Sequence, residues 1–171
     1  MSTVTLYVPR DSAALAAGAD EVAQSIAHEA AARGIDVHIV RNSSRGMFWL
    51  EPLVEVSTPA GRVAYGPVAP EDVAGLFDAG FVTGAAHPLC HGPTGAIAYL
   101  ARQQRLTFAR MGMTDPLSLA DYQAYSGFDG LRNAVAMSAA DIVQTMIDSG
   151  LRGRGGAAFP AGIKWKTVAG A

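Results

Sequence analysis

The chain has 171 residues, half of them hydrophobic and 16% charged, with a formal charge of −2 and a single cysteine, Cys90. That is apolar material for one ordinary domain, or for a small domain plus part of another. The charge removes the usual electrostatic case for a nucleic-acid binder, and one thiol excludes an internal disulfide framework or a site made of several thiolates. The mean hydropathy of +0.19 is inflated by alanine, and no apolar run reaches the roughly 18 residues of a membrane span. The N-terminus lacks a basic segment followed by an apolar run, so no secretory signal is expected. These features predict a cytoplasmic globular protein, with no membrane or nucleic-acid partner and no iron–sulfur or zinc–cysteine site of its own.

Residues 3–8 (TVTLYV) form a β-rich run ended by Pro9, and they predict a strand. Asp11 or Ser12 can cap a helix running to about Arg33, with a stripe of Leu15, Ala19, Val22, Ile26 and Ala30, and Gly34 stops it. Residues 36–41 (DVHIVR) predict a second strand, parallel to the first. Residues 53–57 and 62–65 flank Thr58-Pro59-Ala60-Gly61, a hairpin signal. Pro70-Glu71-Asp72 opens a helix that Gly80 closes, since proline suits the first helical position and acids suit its positive end. The order βαβ then ββα predicts an α/β, thioredoxin-like N-terminal domain over residues 1–80, a mixed four-stranded sheet with helices on its faces. Its first strand is followed by Val8-Pro9-Arg10-Asp11-Ser12, without cysteine, which removes a thiol–disulfide role and leaves a docking or spacer module.

Residues 80–95 (GFVTGAAHPLCHGPTG) read as loop, and the composition shift predicts a linker over 81–104. His87, Cys90 and His91 are metal-ligand types, but three are too few for a closed structural site, and a connecting loop with a buried thiol is the plainer expectation. A short helix is expected over 96–104 and an extended segment over 105–111. Ser118 with Asp121, and Ser138 with Asp141, each resemble a capping box with a shorter acid and predict helices near 119–124 and 139–149. A further short helix fits 129–137, and Ile142, Val143 and Met146 form the buried stripe of the last helix.

The most informative stretch runs from Gly150 to Trp165. Glycines 153, 155, 156 and 162 free the backbone to lie directly against a ligand, and Arg152, Arg154 and Lys164 place cationic donors around it. Phosphate oxygens suit backbone N–H groups and such cations. Two familiar templates fit poorly. A P-loop ends in Gly-Lys-Ser/Thr, whereas Ile163 separates Gly162 from Lys164; the dinucleotide fingerprint must follow a strand, whereas this loop follows a helix. From the residues alone, a cofactor cradle and a flexible basic loop both remain open.

The run SGLRGRGGAAFPAGIKW, with DPLSLADYQAYSGFDGLRNAV before it, resembles the NADH-dehydrogenase flavoprotein family over about Arg105 to Trp165. That family comprises the flavoprotein subunit of respiratory complex I, the diaphorase subunits of NAD-reducing hydrogenases and the β subunit of NAD-dependent formate dehydrogenases. Residues 1–80 resemble the thioredoxin-like domain of the small iron–sulfur subunit that pairs with it, fused in front and lacking its four cluster cysteines. The cluster-free fusion, with LYVPRDSAALAAGAD and VRNSSRGMFWLEPLVEV, is most similar to the formate dehydrogenase β subunit. The resemblance implies that residues 105–171 are the start, mainly helical and then glycine-rich, of a flavoprotein FMN/NADH-binding domain. It implies that Gly153, Arg154, Gly155 and Gly156 contact cofactor phosphates, that Gly162 belongs to the same cofactor-binding loop, that Lys164 bonds to the flavin nucleotide, and that Phe159 stacks on the adenine of NADH. Ala158 stands where many relatives have glycine, and Thr167 where some have a second stacking aromatic.

The resemblance further implies cofactors FMN and NAD, a [4Fe–4S] cluster in a C-terminal part beyond Ala171, and as partners a small thioredoxin-like iron–sulfur subunit and a molybdenum-type catalytic subunit oxidising formate. Relatives continue for several hundred residues, so the 171 residues are expected to be an N-terminal piece, poor at binding FMN alone. No Ser/His/Asp or paired-carboxylate constellation is evident, and none is required. A non-catalytic docking module is the competing expectation, with Met47-Phe48-Trp49-Leu50 either as core under a loop or as a contact patch.

Overall fold

Short runs rich in valine and threonine supply the strands of one mixed sheet in the computed structural model, which describes residues 3–171. In chain order these are β1 (Val4–Tyr7), β2 (Val37–Val40), β3 (Val54–Thr58), β4 (Gly61–Tyr65) and β5 (Cys90–Pro93), lying side by side as β2-β1-β3-β4-β5. β1 and β2 run parallel with Val4 opposite Val37, and the other neighbours are antiparallel, with Leu6 opposite Val56 and Val54 opposite Tyr65. Two helices, α1 (Ser12–Ala16) and α2 (Ala19–Ala32), occupy the β1–β2 crossover, and α3 (Val73–Asp78) follows β4. The first four strands and these helices form the expected thioredoxin-like layer.

Strand alternation gives the sheet two different faces. Leu6, Val54, Val56 and Tyr65 point to a core with Val22, Ile26 and Ala30 of α2 and Leu76 and Phe77 of α3. The other face carries Tyr7, Glu55, Arg62 and Ala64; Ala64 packs with Met47, Leu50 and Leu53. Glu55 is 1% exposed. It accepts from Arg45 at both oxygens (2.6 and 2.8 Å) and lies 3.5 Å from Arg62, whose guanidinium stacks 3.4 Å over the Tyr7 ring.

Several local expectations change. The helix expected over 12–33 breaks at Gly18, whose φ of +94° is left-handed and opens α2 as a new helix. The break rotates the stripe: Ala14 is buried in α1, while Leu15 is 41% exposed. Within 81–104, Phe81 enters the core edge-on to Tyr65 and Phe77, and β5 pairs with β4 although its sequence, CHGP, has little β-propensity. The open edge of β4 supplies the hydrogen-bonding partner that composition does not reveal. A short helix, α4 (Ala98–Ala101), falls where it is expected. Residues 105–111, expected to be extended, are instead successive turns, with Ala109 N–H donating to Leu106 and Met111 N–H to Phe108.

Two compact units divide the chain after Tyr122, within α5 (Leu119–Ala124). The first therefore holds the sheet together with residues 81–122. The second, Gln123–Ala171, contains α6 (Asp129–Val135), α7 (Ala139–Asp148) and α8 (Ala161–Ala169). Ser138 caps α7 as its spacing predicts, accepting from the Asp141 N–H at 3.1 Å. Ile142, Val143 and Met146 are half-buried rather than buried.

Glu51 is a buried acid of a different kind. It accepts from Ser44 Oγ at 2.5 Å and from the Leu53 N–H at 3.0 Å. Burial raises its carboxyl pKa above the ordinary 4.5; the Ser44 and Leu53 hydrogen bonds oppose the rise, and Asp11 and Glu55 add repulsion. A raised acid holds its proton more tightly folded than unfolded, so its contribution is complete below about 4.5 and is lost as pH rises through the folded value. Urea unfolding from pH 7 to pH 4.5 should therefore show Glu51→Gln stabilised relative to the parent at pH 7, with the difference shrinking toward pH 4.5. A pH-independent difference between the two proteins would remove Glu51 as the source.

Candidate functional site

The glycine-rich stretch folds as a closed turn between two helices of the second unit. Gly150, at φ +62°, ends α7 by donating to the Ile147 carbonyl. The chain then pairs with itself: Gly153 N–H donates to Phe159 O at 2.9 Å and Ala161 N–H to Leu151 O at 2.8 Å. Arg152 Nε donates to the Ala158 carbonyl at 2.7 Å, so this guanidinium closes the turn. Ala158 N–H reaches Gly155 O at 3.2 Å. The N–H groups of Arg154, Gly155, Gly156 and Ala157 donate to none of the described residues.

These free donors lie where the backbone is least covered. A Cβ added at Gly155 or Gly156 would meet nothing within 4 Å. Phe159 is 44% exposed, and Lys164 Nζ stands 5.7 Å from its ring centroid. Free amides, an exposed Arg154 and the Lys164 ammonium fit a phosphate-bearing group, which needs N–H donors and cations in reach of one another. The turn thus brings Gly153, Arg154, Gly155, Gly156 and Phe159 together, with Lys164 alongside.

Gly162 stands apart from them. It lies in α8, not in the loop, and an added Cβ would sit 2.6 Å from Ile147 Cα and N of α7. Its hydrogen in place of a side chain lets two helix backbones touch. The sequence pattern also extends the loop to Trp165, whereas Ala161–Ala169 is helix; Pro160 precedes it and forces the change of direction. Thr167 Oγ1 bonds back to Ile163 O within that helix. Beside Lys164, an open apolar groove runs between α7 and α8, lined by Ile142, Val143, Trp165 and Val168.

The histidine–cysteine trio is spent locally. His91 Nε2 meets Gly66 O at 2.7 Å, His87 Nδ1 accepts from Leu89 N–H, and Cys90 Sγ accepts from Gly92 N–H. Among the described residues no group of three or more His, Cys, Asp or Glu is placed to hold a metal ion, and no helix is long and apolar enough to cross a membrane.

Fold and turn together define an α/β protein with a thioredoxin-like sheet followed by a helical unit that carries a phosphate-compatible glycine turn. The chain is similar, at 47% identity over 64 residues, to the HndC subunit of the NADP-reducing hydrogenase of Solidesulfovibrio fructosivorans. It is also similar to the F subunit of NADH-quinone oxidoreductase, at 49% over 47 residues in Streptomyces coelicolor and 39% over 64 residues in Escherichia coli. These matches cover 37%, 28% and 37% of this chain but only 13%, 10% and 14% of those proteins. They agree with the resemblance to the NADH-dehydrogenase flavoproteins. A thioredoxin-like [2Fe-2S] ferredoxin from Aquifex aeolicus aligns over 54% of this chain and 99% of its own, at 21% identity and a TM-score of 0.44. No protein-family profile matches the chain.

Two substitutions separate the packing glycine from the strained alanine. Gly162→Ala should force α8 off α7 and cost about 1–3 kcal/mol, the range for overpacking. Ala158 sits at φ +46°, so Ala158→Gly should stabilise by about 1 kcal/mol. Thermal unfolding followed by helical circular dichroism reads both, and a Gly162→Ala chain as stable as the parent would refute the close packing.

Proposed function

We propose that the chain is part of the NADH-oxidising, diaphorase-type electron-transfer subunit of an NAD-dependent formate dehydrogenase that acts in the cytoplasm. The observation that carries this reading is the turn at 150–160, whose N–H groups at 154–157 donate to none of the described residues, with Phe159 in the same turn and Lys164 against its ring. The similarity to HndC and to the NADH-quinone oxidoreductase flavoproteins supports the NADH-linked class. The formate assignment rests on the resemblance of the N-terminal segments and on the fused thioredoxin-like domain without cluster cysteines.

The Gly153 N–H, expected to contact phosphate, is committed to Phe159 O at 2.9 Å. In this reading the N–H groups of Arg154, Gly155 and Gly156, joined by that of Ala157, therefore hold phosphate oxygens, and glycine at 155 and 156 lets those oxygens come close. Lys164 adds a charge-assisted bond to the flavin nucleotide, and Phe159 offers a flat face to adenine. Bound FMN would supply hydride exchange with the nicotinamide and the split into single electrons. Iron–sulfur clusters, among them a [4Fe–4S] centre outside residues 1–171, would supply the onward one-electron chemistry, and the proposed partners are a small thioredoxin-like iron–sulfur subunit and a molybdenum-type formate-oxidising subunit.

A docking role for the first unit, without catalysis, has its own observation. Met47 and Leu50 are core, but Phe48 and Trp49 are 65% and 60% exposed, with Trp49 edge-on to Tyr99 at 5.1 Å. Trp49→Ala should weaken association with a partner subunit while leaving the melting temperature nearly unchanged; unchanged association with a lowered melting temperature makes the pair packing under a loop and ends the patch reading.

The protein purified from its source should contain FMN, reduce ferricyanide with NADH, and have its flavin reduced by formate. Flavin reduced by NADH and by hydrogen but not by formate would move it to the hydrogenase branch. In the full-length subunit, Lys164→Ala removes a bond worth roughly 1.5–3 kcal/mol and should weaken flavin retention about tenfold or more. Phe159→Ala should raise the Michaelis constant for NADH at near-normal flavin content. Loss of FMN in Phe159→Ala, with Lys164→Ala unchanged in both respects, overturns the assignment of roles.

A further inference from the structure

Residues 105–115 cross the polar face of the sheet and are held there almost wholly by hydrogen bonds. The central anchor is Gly112, the one buried residue of the segment. Its carbonyl accepts from Asn42 Nδ2 at 2.9 Å and Arg62 Nη1 at 2.6 Å, and its N–H donates to Ser43 Oγ at 2.9 Å. On either side, Arg105 Nη2 donates to Arg45 O at 2.7 Å and the Ser43 N–H donates to Thr114 O at 3.3 Å. A partly exposed pair, Arg10 with Asp115 at 3.7 Å, adds little.

Apolar burial in this segment is modest and comes from the half-buried Met111 and Met113. Leu106 is 90% and Phe108 63% exposed, so detaching it uncovers little apolar surface. The layer beneath is separately held: Arg45 and Arg62 are both paired with the buried Glu55. The segment therefore has a much smaller opening cost than the sheet under it, which is the condition for local opening.

We propose that residues 105–115 are a detachable strap, with Gly112 as its catch, that lifts from the sheet as one element while the sheet stays folded. Gly112 suits the role on two counts. Its φ is +76°, and an added Cβ would lie 2.5–2.9 Å from the Arg45 side chain, which its two bonds to Glu55 hold in place. Any other residue here prevents seating without reaching the apolar core. Lifting frees chain that can reach about 36–40 Å when fully extended, and it uncovers the donors of Asn42, Ser43 and Arg62. The proposal does not rest on the flavin reading.

Native-state hydrogen exchange on the whole 171-residue chain tests it. The Ser43 and Gly112 amides should exchange at rates that low urea leaves unchanged, the mark of a local opening, while β3 amides should accelerate with urea. Gly112→Ala should speed exchange at Ser43 at least tenfold and leave β3 as it is. The strap is refuted if Ser43 and Gly112 follow β3 in urea, because they then open only with the sheet. It is equally refuted if Gly112→Ala leaves Ser43 unchanged, speeds β3 by the same factor, or prevents folding.

Discussion

Glu55 organises the first unit because it is a carboxylate with almost no water left around it. Its side chain is 2% exposed, yet both oxygens are engaged by Arg45, from the segment after β2, and Arg62 of β4 approaches the same group. A buried pair of this kind adds little over well-packed apolar residues, but removing one partner strands a charge and costs roughly 3–5 kcal/mol. The three residues must therefore be present together. Their consequence is geometrical: with both arginines fixed, Arg45 offers its carbonyl to Arg105, and Arg62 covers Tyr7 while the same Nη1 that lies near Glu55 donates to the Gly112 carbonyl. One acid thus turns a face that could have been apolar into a surface that binds backbone.

The opposite face needs no such device. Leu6, Val56, Tyr65, Ile26 and Phe81 exclude water by packing, with the Tyr65 hydroxyl donating to the Ala85 carbonyl, and the edge-on contacts of Phe81 with Tyr65 and Phe77 fill the end of that core. This difference explains what the sequence discloses. The Val-rich runs, the Thr58–Gly61 turn and the Ser138 cap are local signals, and the strands, hairpin and helix they predict are present. The break at Gly18, the pairing of β5 and the folding back of residues 105–111 depend on partners elsewhere in the chain. Gly18 inside a helical pattern costs only about 1 kcal/mol, which tertiary packing readily outweighs, so the pattern alone could not show the break. Glu55 and Arg62 likewise look like ordinary charged positions on a hairpin until the register sets Glu55 opposite Ala64 and Tyr7.

The candidate site was legible in kind and less so in detail. Glycine, arginine and lysine in one short stretch point to an anion cradle, and the amides of 154–157 have no acceptor among the described residues. What composition cannot reveal is which cation closes the turn and which remains available. Arg152 and Arg154 are two residues apart and chemically identical, yet Arg152 is committed to the Ala158 carbonyl and Arg154 is exposed. The Arg152–Pro160 bridge decides between them, because it fixes Arg152 beside the returning chain and leaves Arg154 past the end of the pairing.

The same reasoning divides the glycines. At 155 and 156 the missing side chain leaves space in front of the backbone, open to whatever approaches; at 162 the space is already filled by Ile147 of α7. A methyl group at the first pair narrows an approach from outside and leaves the unit standing, whereas a methyl at 162 pushes two helices apart and moves Lys164 with them. Position 162 can therefore affect a ligand held by Lys164 without ever touching it. Ala158 is the converse case: it holds a left-handed conformation that glycine would adopt without strain, and its carbonyl is the one Arg152 grips. The turn thus keeps its shape through one strained residue and one committed arginine. Those two features close the base of the turn at 152–158, and the more of a donor set that is fixed before a ligand arrives, the smaller the ordering cost of binding.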